Sequence, residues 1–173
     1  MTRLSKVTSL SQHPPALSGP APTVVWSDRQ EDDVHRTIAA VKALLQQPEV
    51  VARDVCLIAR DKWSLENLYA PALKDAGLAA IQIEADADES SGGDGIRLCT
   101  MHRAKGLEFR HVFVVALGDA RYPRPADDAE DDPVAASWHE ARERSLFFVA
   151  CTRARESLRV SGWGERKAAF IPG

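Results

Sequence analysis

Cysteine is scarce in this chain of 173 residues: there are three, Cys56, Cys99 and Cys151. They are odd in number, far apart and form no CxxC pair, which argues against a disulfide framework or a cysteine zinc cluster. Three buried free thiols in a reducing compartment are expected instead. Long hydrophobic runs are missing, and the N-terminus carries no apolar signal segment, so a cytoplasmic protein with no membrane partner is expected. Positive charge is not in excess either: the formal net charge is -3, and any nucleic-acid site has to be a local basic patch. Two hallmarks of nucleotide hydrolysis are also absent. No Gly-x-x-x-x-Gly-Lys-[Ser/Thr] occurs, nor any Gly-Lys dipeptide, and no apolar strand ends in Asp-Glu.

What is present suits one compact α/β domain. About 45% of residues are hydrophobic and 27% charged, which is ordinary for a globular chain of this size. Residues 1–22, rich in Ser, Pro and Thr, read as a flexible leader, 23–163 as the folded domain and 164–173 as a tail. Short β-branched or apolar runs at Thr23–Trp26, Asp54–Ala59, Leu78–Ile83, Ile96–Met101, His111–Leu117 and Leu158–Ser161 read as strands. Helices are expected at Glu31–Gln47, stopped by Pro48, at Ser64–Asp75, closed by Gly77, and at Val134–Arg153. Their alternation predicts a mainly parallel sheet with helices on both faces. The stretches 85–95 and 118–133 read as acidic loops. The run Asp127, Asp128, Glu130, Asp131, Asp132 is a solvated, self-repelling segment rather than a metal site. Among the four tryptophans, Trp138 is expected in the core, and Trp63 stands beside a candidate binding patch.

Two segments carry the chemistry. The first is Arg97-Leu-Cys-Thr-Met-His-Arg-Ala-Lys-Gly-Leu-Glu-Phe109. A buried strand ends at Thr100, and ligands of parallel α/β sheets sit beyond the carboxyl ends of strands. Thr100, His102, Arg103, Lys105 and Glu108 are therefore expected together at that edge, with Gly106 allowing close backbone approach. The second is Arg144-Ser-Leu-Phe-Phe-Val-Ala-Cys-Thr-Arg-Ala-Arg155. Its apolar middle buries a helix against the sheet, and Arg153, a rigid bidentate fork suited to phosphate, emerges at its end.

Thr100–Phe109 resembles motif V of UvrD/Rep-type superfamily 1 DNA helicases, and Phe148–Arg155 resembles their motif VI. Asp54–Gly77, with Ile58-Ala-Arg-Asp-Lys62, resembles the segment that carries motif IVa, although Asp61 and Lys62 stand where the family more often has Ser or Thr, then Asn. The resemblance covers residues 23–163 and implies the second RecA-like domain of such a motor. It implies that Arg153 reaches the γ-phosphate of ATP held by the first RecA-like domain. Gly106 and Glu108 would contact nucleotide, Glu108 near the ribose, and Lys105 is a further candidate contact to it. Thr100 and His102, with Arg103 and the Arg60–Lys62 region, would contact single-stranded DNA during translocation, normally 3′ to 5′. Motif IV would lie upstream of residue 1. ATP and Mg2+ would be held mainly by that partner domain, since this chain lacks the phosphate cradle and metal carboxylate.

 That domain, expected in the same parent chain, would bind nucleotide and metal, and this chain would complete the site from outside.

Other readings of the same residues stay open. The chain could be a stand-alone nucleic-acid or protein binding module that keeps the fold without turnover, or the equivalent domain of a recombination helicase–nuclease, although no nuclease carboxylate cluster is evident. His102 could be an ordinary loop histidine, Lys105 could cap a turn, and Arg155 is expected to support the fold through an ion pair, for example with Glu156 or an acidic loop. Phosphoryl transfer is mostly positioning, so a chain without a phosphate loop should not hydrolyse ATP alone. Phosphate release with single-stranded DNA present checks this. Turnover near one per second, within the usual enzyme range, that survived further purification would contradict it.

Overall fold

The computed structural model describes residues 20–83, 93–118, 122, 133–165 and 170–171. Most of the leader, most of both acidic loops and all of the acidic run lie outside these residues. Six strands form one parallel sheet in the order β1-β6-β5-β2-β4-β3, built from β1 (Thr23–Ser27), β2 (Val55–Ala59), β3 (Ala80–Gln82), β4 (Ile96–Thr100), β5 (Phe109–Leu117) and β6 (Ala154–Trp163). All five residues of central β2 are buried, as a parallel strand covered on both faces requires. The α/β expectation holds, and the last strand is longer than its apolar run suggested, because its first residues pair with β5 at the sheet's amino edge.

One face is covered by α1 (Gln30–Leu44), then α2 (Lys62–Ser64), a wide π-helical turn (Leu65–Tyr69) and α3 (Ala70–Asp75). Glu31, Asp32 and Asp33 in the first turn of α1 and Lys42 in its last complement the helix dipole. Pro71 has no N–H to offer the carbonyl four residues back, and the π turn just precedes it. The turn leaves Tyr69 fully buried with its hydroxyl donating to Asp33 at 2.8 Å and accepting from the Ala116 N–H at 3.1 Å. That amide belongs to a bulge in β5, where the register against β6 slips between Val114 and Leu117 and Ala116 takes a φ of 59°. Burial pushes the Asp33 carboxyl upward and the Tyr69 hydroxyl well above its ordinary range.

The opposite face is covered by residues 101–108 and by α4 (Pro133–Cys151). Phe147 and Ala150 of α4 pack with Met101, Ala104, Tyr122 and Ile171 over Cys56, Ile58, Val112 and Val114. The packed unit therefore extends past Trp163: Phe170 meets Tyr122 edge-on, with ring centroids 6.1 Å apart. Cys56 and Cys99 are buried free thiols and Cys151 is half-buried. Burial pushes Cys99 and Cys151 up to about 12, which leaves them unreactive near neutrality.

Trp138 departs from expectation: it is 74% exposed. The inward face of α4 is set by Glu143, Phe147 and Ala150, and at 3.6 residues per turn Trp138 lies roughly 140° around the helix from Glu143. Apolar composition alone did not give the phase.

Close approach of β5 and β6 depends on Gly118 and Gly162, and a Cβ on Gly162 would lie 2.1 Å from the Leu117 carbonyl. A Cβ on Gly118, whose φ is +84°, would lie 2.4 Å from Trp26 Cζ2 and 2.6 Å from the Trp163 carbonyl. Gly77 has a similar φ of +76° but open space around it. Gly77→Ala is expected to cost about 1–2 kcal/mol, the left-handed backbone penalty alone, and Gly118→Ala at least about 2 kcal/mol more through forced movement of packed groups. Urea unfolding of the two variants measures the difference; equal costs would mean that the packing around Gly118 yields freely.

Candidate nucleotide and nucleic-acid sites

Register fixes where the candidate residues sit. Thr100 is level with Ala59, and Val55 is level with His111, two residues after the start of β5. The chain therefore leaves β4 at the carboxyl edge of the sheet and enters β5 at the amino edge, roughly 20 Å back along the strands at about 3.3 Å per residue. Residues 101–108 make that crossing over the α4 face of the sheet. The first segment's polar residues do not share one edge, as its sequence suggested. Thr100 and His102 lie at the carboxyl end and Glu108 at the amino end.

The crossing is built by alternation of inward and outward residues. The Met101 N–H donates to the Ala59 carbonyl, the Ala104 N–H to the Thr100 carbonyl and the Leu107 N–H to the Ala104 carbonyl. Met101 and Ala104 are buried and Leu107 half-buried, three residues apart, so the helical spacing anchors the segment while His102, Lys105, Gly106 and Glu108 face outward. The Thr100 hydroxyl accepts from the Arg103 N–H at 3.4 Å and so caps this turn. Gly106 has a φ of +89°, and it is this left-handed backbone, rather than crowding, that requires glycine there.

At the carboxyl edge, Asp61 caps the helix that follows β2. Its carboxylate accepts from the Ser64 N–H at 2.8 Å and from the Ser64 hydroxyl at 3.2 Å, the bonding of a favoured N-cap residue. Lys62 pairs with Glu66 at 3.3 Å, both about half exposed, and Trp63 is 48% exposed beside it. Arg60 is differently placed. Its Nε lies 3.1 and 2.9 Å from the two carboxylate oxygens of Glu143 and its Nη2 2.8 Å from Oε1. Glu143 is fully buried and Arg60 only 11% exposed. Arg60 is thus a partner of α4 before it is a partner of any ligand. Sequence reasoning passed over Glu143, although an acid at the inward phase of an apolar helix, four residues before Phe147 and seven before Ala150, is a signal that a buried cation must face it.

At the amino edge, Arg153 is held by three acceptors. Its Nε donates to the Val149 carbonyl at 3.0 Å, its Nη1 to the Leu107 carbonyl at 3.2 Å and its Nη2 to the Thr152 hydroxyl at 3.1 Å. The guanidinium therefore ties the end of α4 to the end of the crossing segment, and it stays half-exposed. Glu108 and Arg155 lie beside it on neighbouring strand starts, 4.0 Å apart and largely exposed. Glu156 instead pairs with Arg110 at 2.6 Å, and Arg110 also reaches Asp54 at 2.9 Å. Among the described residues no cluster of His, Cys, Asp and Glu has the makings of a metal site, and no helix is long and apolar enough to cross a membrane. The amino-edge groups suit a phosphate presented from outside: one oriented guanidinium and an open left-handed glycine turn, without an enclosing loop of backbone N–H groups.

The sheet thus carries basic and hydroxyl groups at its carboxyl edge and an anchored arginine at its amino edge. Residues 58–164 match the family of UvrD-like helicase C-terminal domains, and the chain belongs to that family. It is 40% identical over 86 residues to the ATP-dependent DNA helicase PcrA of Staphylococcus aureus (strain NCTC 8325 / PS 47), covering 49% of this chain and 11% of that protein. It is 33% identical over 149 residues to the ATP-dependent DNA helicase UvrD2 of Mycobacterium bovis, covering 78% of this chain and 20% of that protein. The chain thus spans between a tenth and a fifth of these relatives' lengths. Its fold is shared with the C-terminal domain of a possible DNA helicase from Lactobacillus plantarum WCFS1, at a TM-score of 0.61 and 22% identity, over 88% of this chain and 80% of that one. The arterivirus nonstructural protein 10 helicase solved with DNA shares it at a TM-score of 0.51 and 14% identity, over 87% of this chain and 32% of that one.

Proposed function

We propose that this chain is the C-terminal motor half-domain of an ATP-dependent DNA helicase or translocase, and that it completes an ATP site whose phosphate loop and Mg2+ belong to a first RecA-like domain in the same parent protein. The observation that carries the reading is the crossing segment 101–108, which joins the two edges of the sheet and is tied at its amino end to Arg153 through the Leu107 carbonyl. Arg153 supplies the phosphate-directed guanidinium. Gly106 and Glu108, with Lys105 beside them, meet the nucleotide's other parts. Thr100, His102, Arg103 and Lys62 border the single-strand path at the opposite edge, with Arg60 behind them. ATP hydrolysis supplies the free energy of movement; this chain's residues orient, contact and transmit.

Three neutral acceptors preset the Arg153 fork, so turning it toward a phosphate exchanges bonds to uncharged oxygens for bonds to an anion. In the full-length helicase, Arg153→Ala is expected to leave ATP binding largely intact and to lower DNA-stimulated turnover by roughly a thousandfold, the scale of arginine fingers. Arg153→Lys should not restore it, because a point charge does not reproduce the planar fork. Arg155→Ala, which removes only an exposed 4.0 Å pair, should lose far less. Steady-state ATPase assays on folded variants decide the matter: parental turnover in Arg153→Ala would overturn the assignment.

A further inference from the structure

The carboxyl edge contains a relay of three charged or titratable side chains from three separate elements. Glu143 of α4 is fully buried and grips Arg60, at the end of β2, through three contacts of 2.8 to 3.1 Å. The remaining arm, Nη1, lies 3.4 Å from His102 Nδ1 on the crossing segment. The Tyr122 hydroxyl donates to the Glu143 backbone carbonyl and fixes the helix at that point.

Arginine has donors only and keeps its proton throughout the physiological range. Beside Arg60, the His102 Nδ1 can bond only as a lone-pair acceptor, and the single proton of a neutral imidazole must then sit on Nε2. We infer that Glu143 is a positioning residue that, through Arg60, holds His102 as a neutral imidazole presenting an outward Nε2–H donor to a phosphate or base oxygen of single-stranded nucleic acid. The ligand class rests on the single-strand reading above; the state of His102 does not. Charges around the ring agree with the geometry: partial burial, then Arg60 and Arg142, lower the His102 pKa, opposed by Glu143. His102 therefore contributes direction and not charge. Arg60 in turn is neutralised by Glu143, so neither residue adds a counterion-releasing cation to the path.

The test separates the two claims. Long-range nitrogen–proton NMR spectra of the chain at pH 7 read the ring directly: a bare Nδ1 and protonated Nε2 are expected. A protonated Nδ1, whether as the other tautomer or as imidazolium, would overturn the inference whatever the chain binds. Removing one member of the buried pair alone could unfold the domain, so the pair is removed together as Arg60→Met/Glu143→Met. In that variant the His102 pKa should rise towards the ordinary value of about 6.5. Anisotropy with a fluorescent oligothymidylate at low salt supplies the functional arm. His102→Ala should weaken binding about tenfold, the scale of a hydrogen bond to a charged group, with no change in the slope of log affinity against log salt. The Met/Met change should weaken binding similarly when His102 is present and have no further effect when His102 is already Ala. Additive losses would show that the pair acts by another route and would overturn the positioning role. If His102→Ala leaves binding unchanged while the NMR state is as expected, the single-strand contact fails and the assignment of the ring's state stands.

Discussion

Parallel strands are ordinarily joined by a crossover of a dozen or more residues containing a helix, yet β4 and β5 are joined by residues 101–108 alone. The two strands flank β2 without pairing with each other, so the chain must return across the sheet within that short stretch. This constraint organises the rest of the domain. It requires apolar anchors at Met101, Ala104 and Leu107, leaves the residues between them facing outward, and makes one continuous backbone run from one edge to the other.

Arginines hold this frame in place, each by a different chemistry. Arg60 forms a buried bidentate pair with Glu143, and loss of one member would strand the other's charge at a cost of about 3–5 kcal/mol. Arg110 joins Asp54 and Glu156 at the amino edge, tying the starts of β2, β5 and β6. Arg153 is satisfied by two carbonyls and a hydroxyl, and among the described residues no carboxylate bonds to it. Of the three, Arg153 is the one whose charge is not neutralised by a bonded acid, which suits a group that turns towards a phosphate.

Much of this was legible in the sequence. Alternating strand and helix runs gave the parallel sheet, and the order of the two motif-bearing segments gave the family, because both signals are local. What was not legible depended on where elements lie relative to one another. Placing Glu108 with Thr100 followed from treating a strand end as the start of a loop that stays at its edge; only the β2 register shows that the segment leaves it. Trp138 was misplaced because an apolar helix does not declare its phase until an inward residue is known. Glu143 is that residue, and its partner Arg60 lies 83 residues away in the sequence. Arg155 does make an ion pair, but with Glu108 and not Glu156, since β6 begins beside the end of the crossing segment.

The central claim is that nucleotide and single strand engage opposite edges of one sheet, joined by residues 101–108. Amide hydrogen exchange of this domain joined to the first RecA-like domain proposed above, read by mass spectrometry on peptides across this chain, tests it most directly. With single-stranded DNA alone, protection should concentrate at residues 60–63 and 100–103; with a non-hydrolysable ATP analogue alone, at residues 105–109 and 152–155. Protection of the same end by both ligands, or of neither stretch by either, would contradict the account.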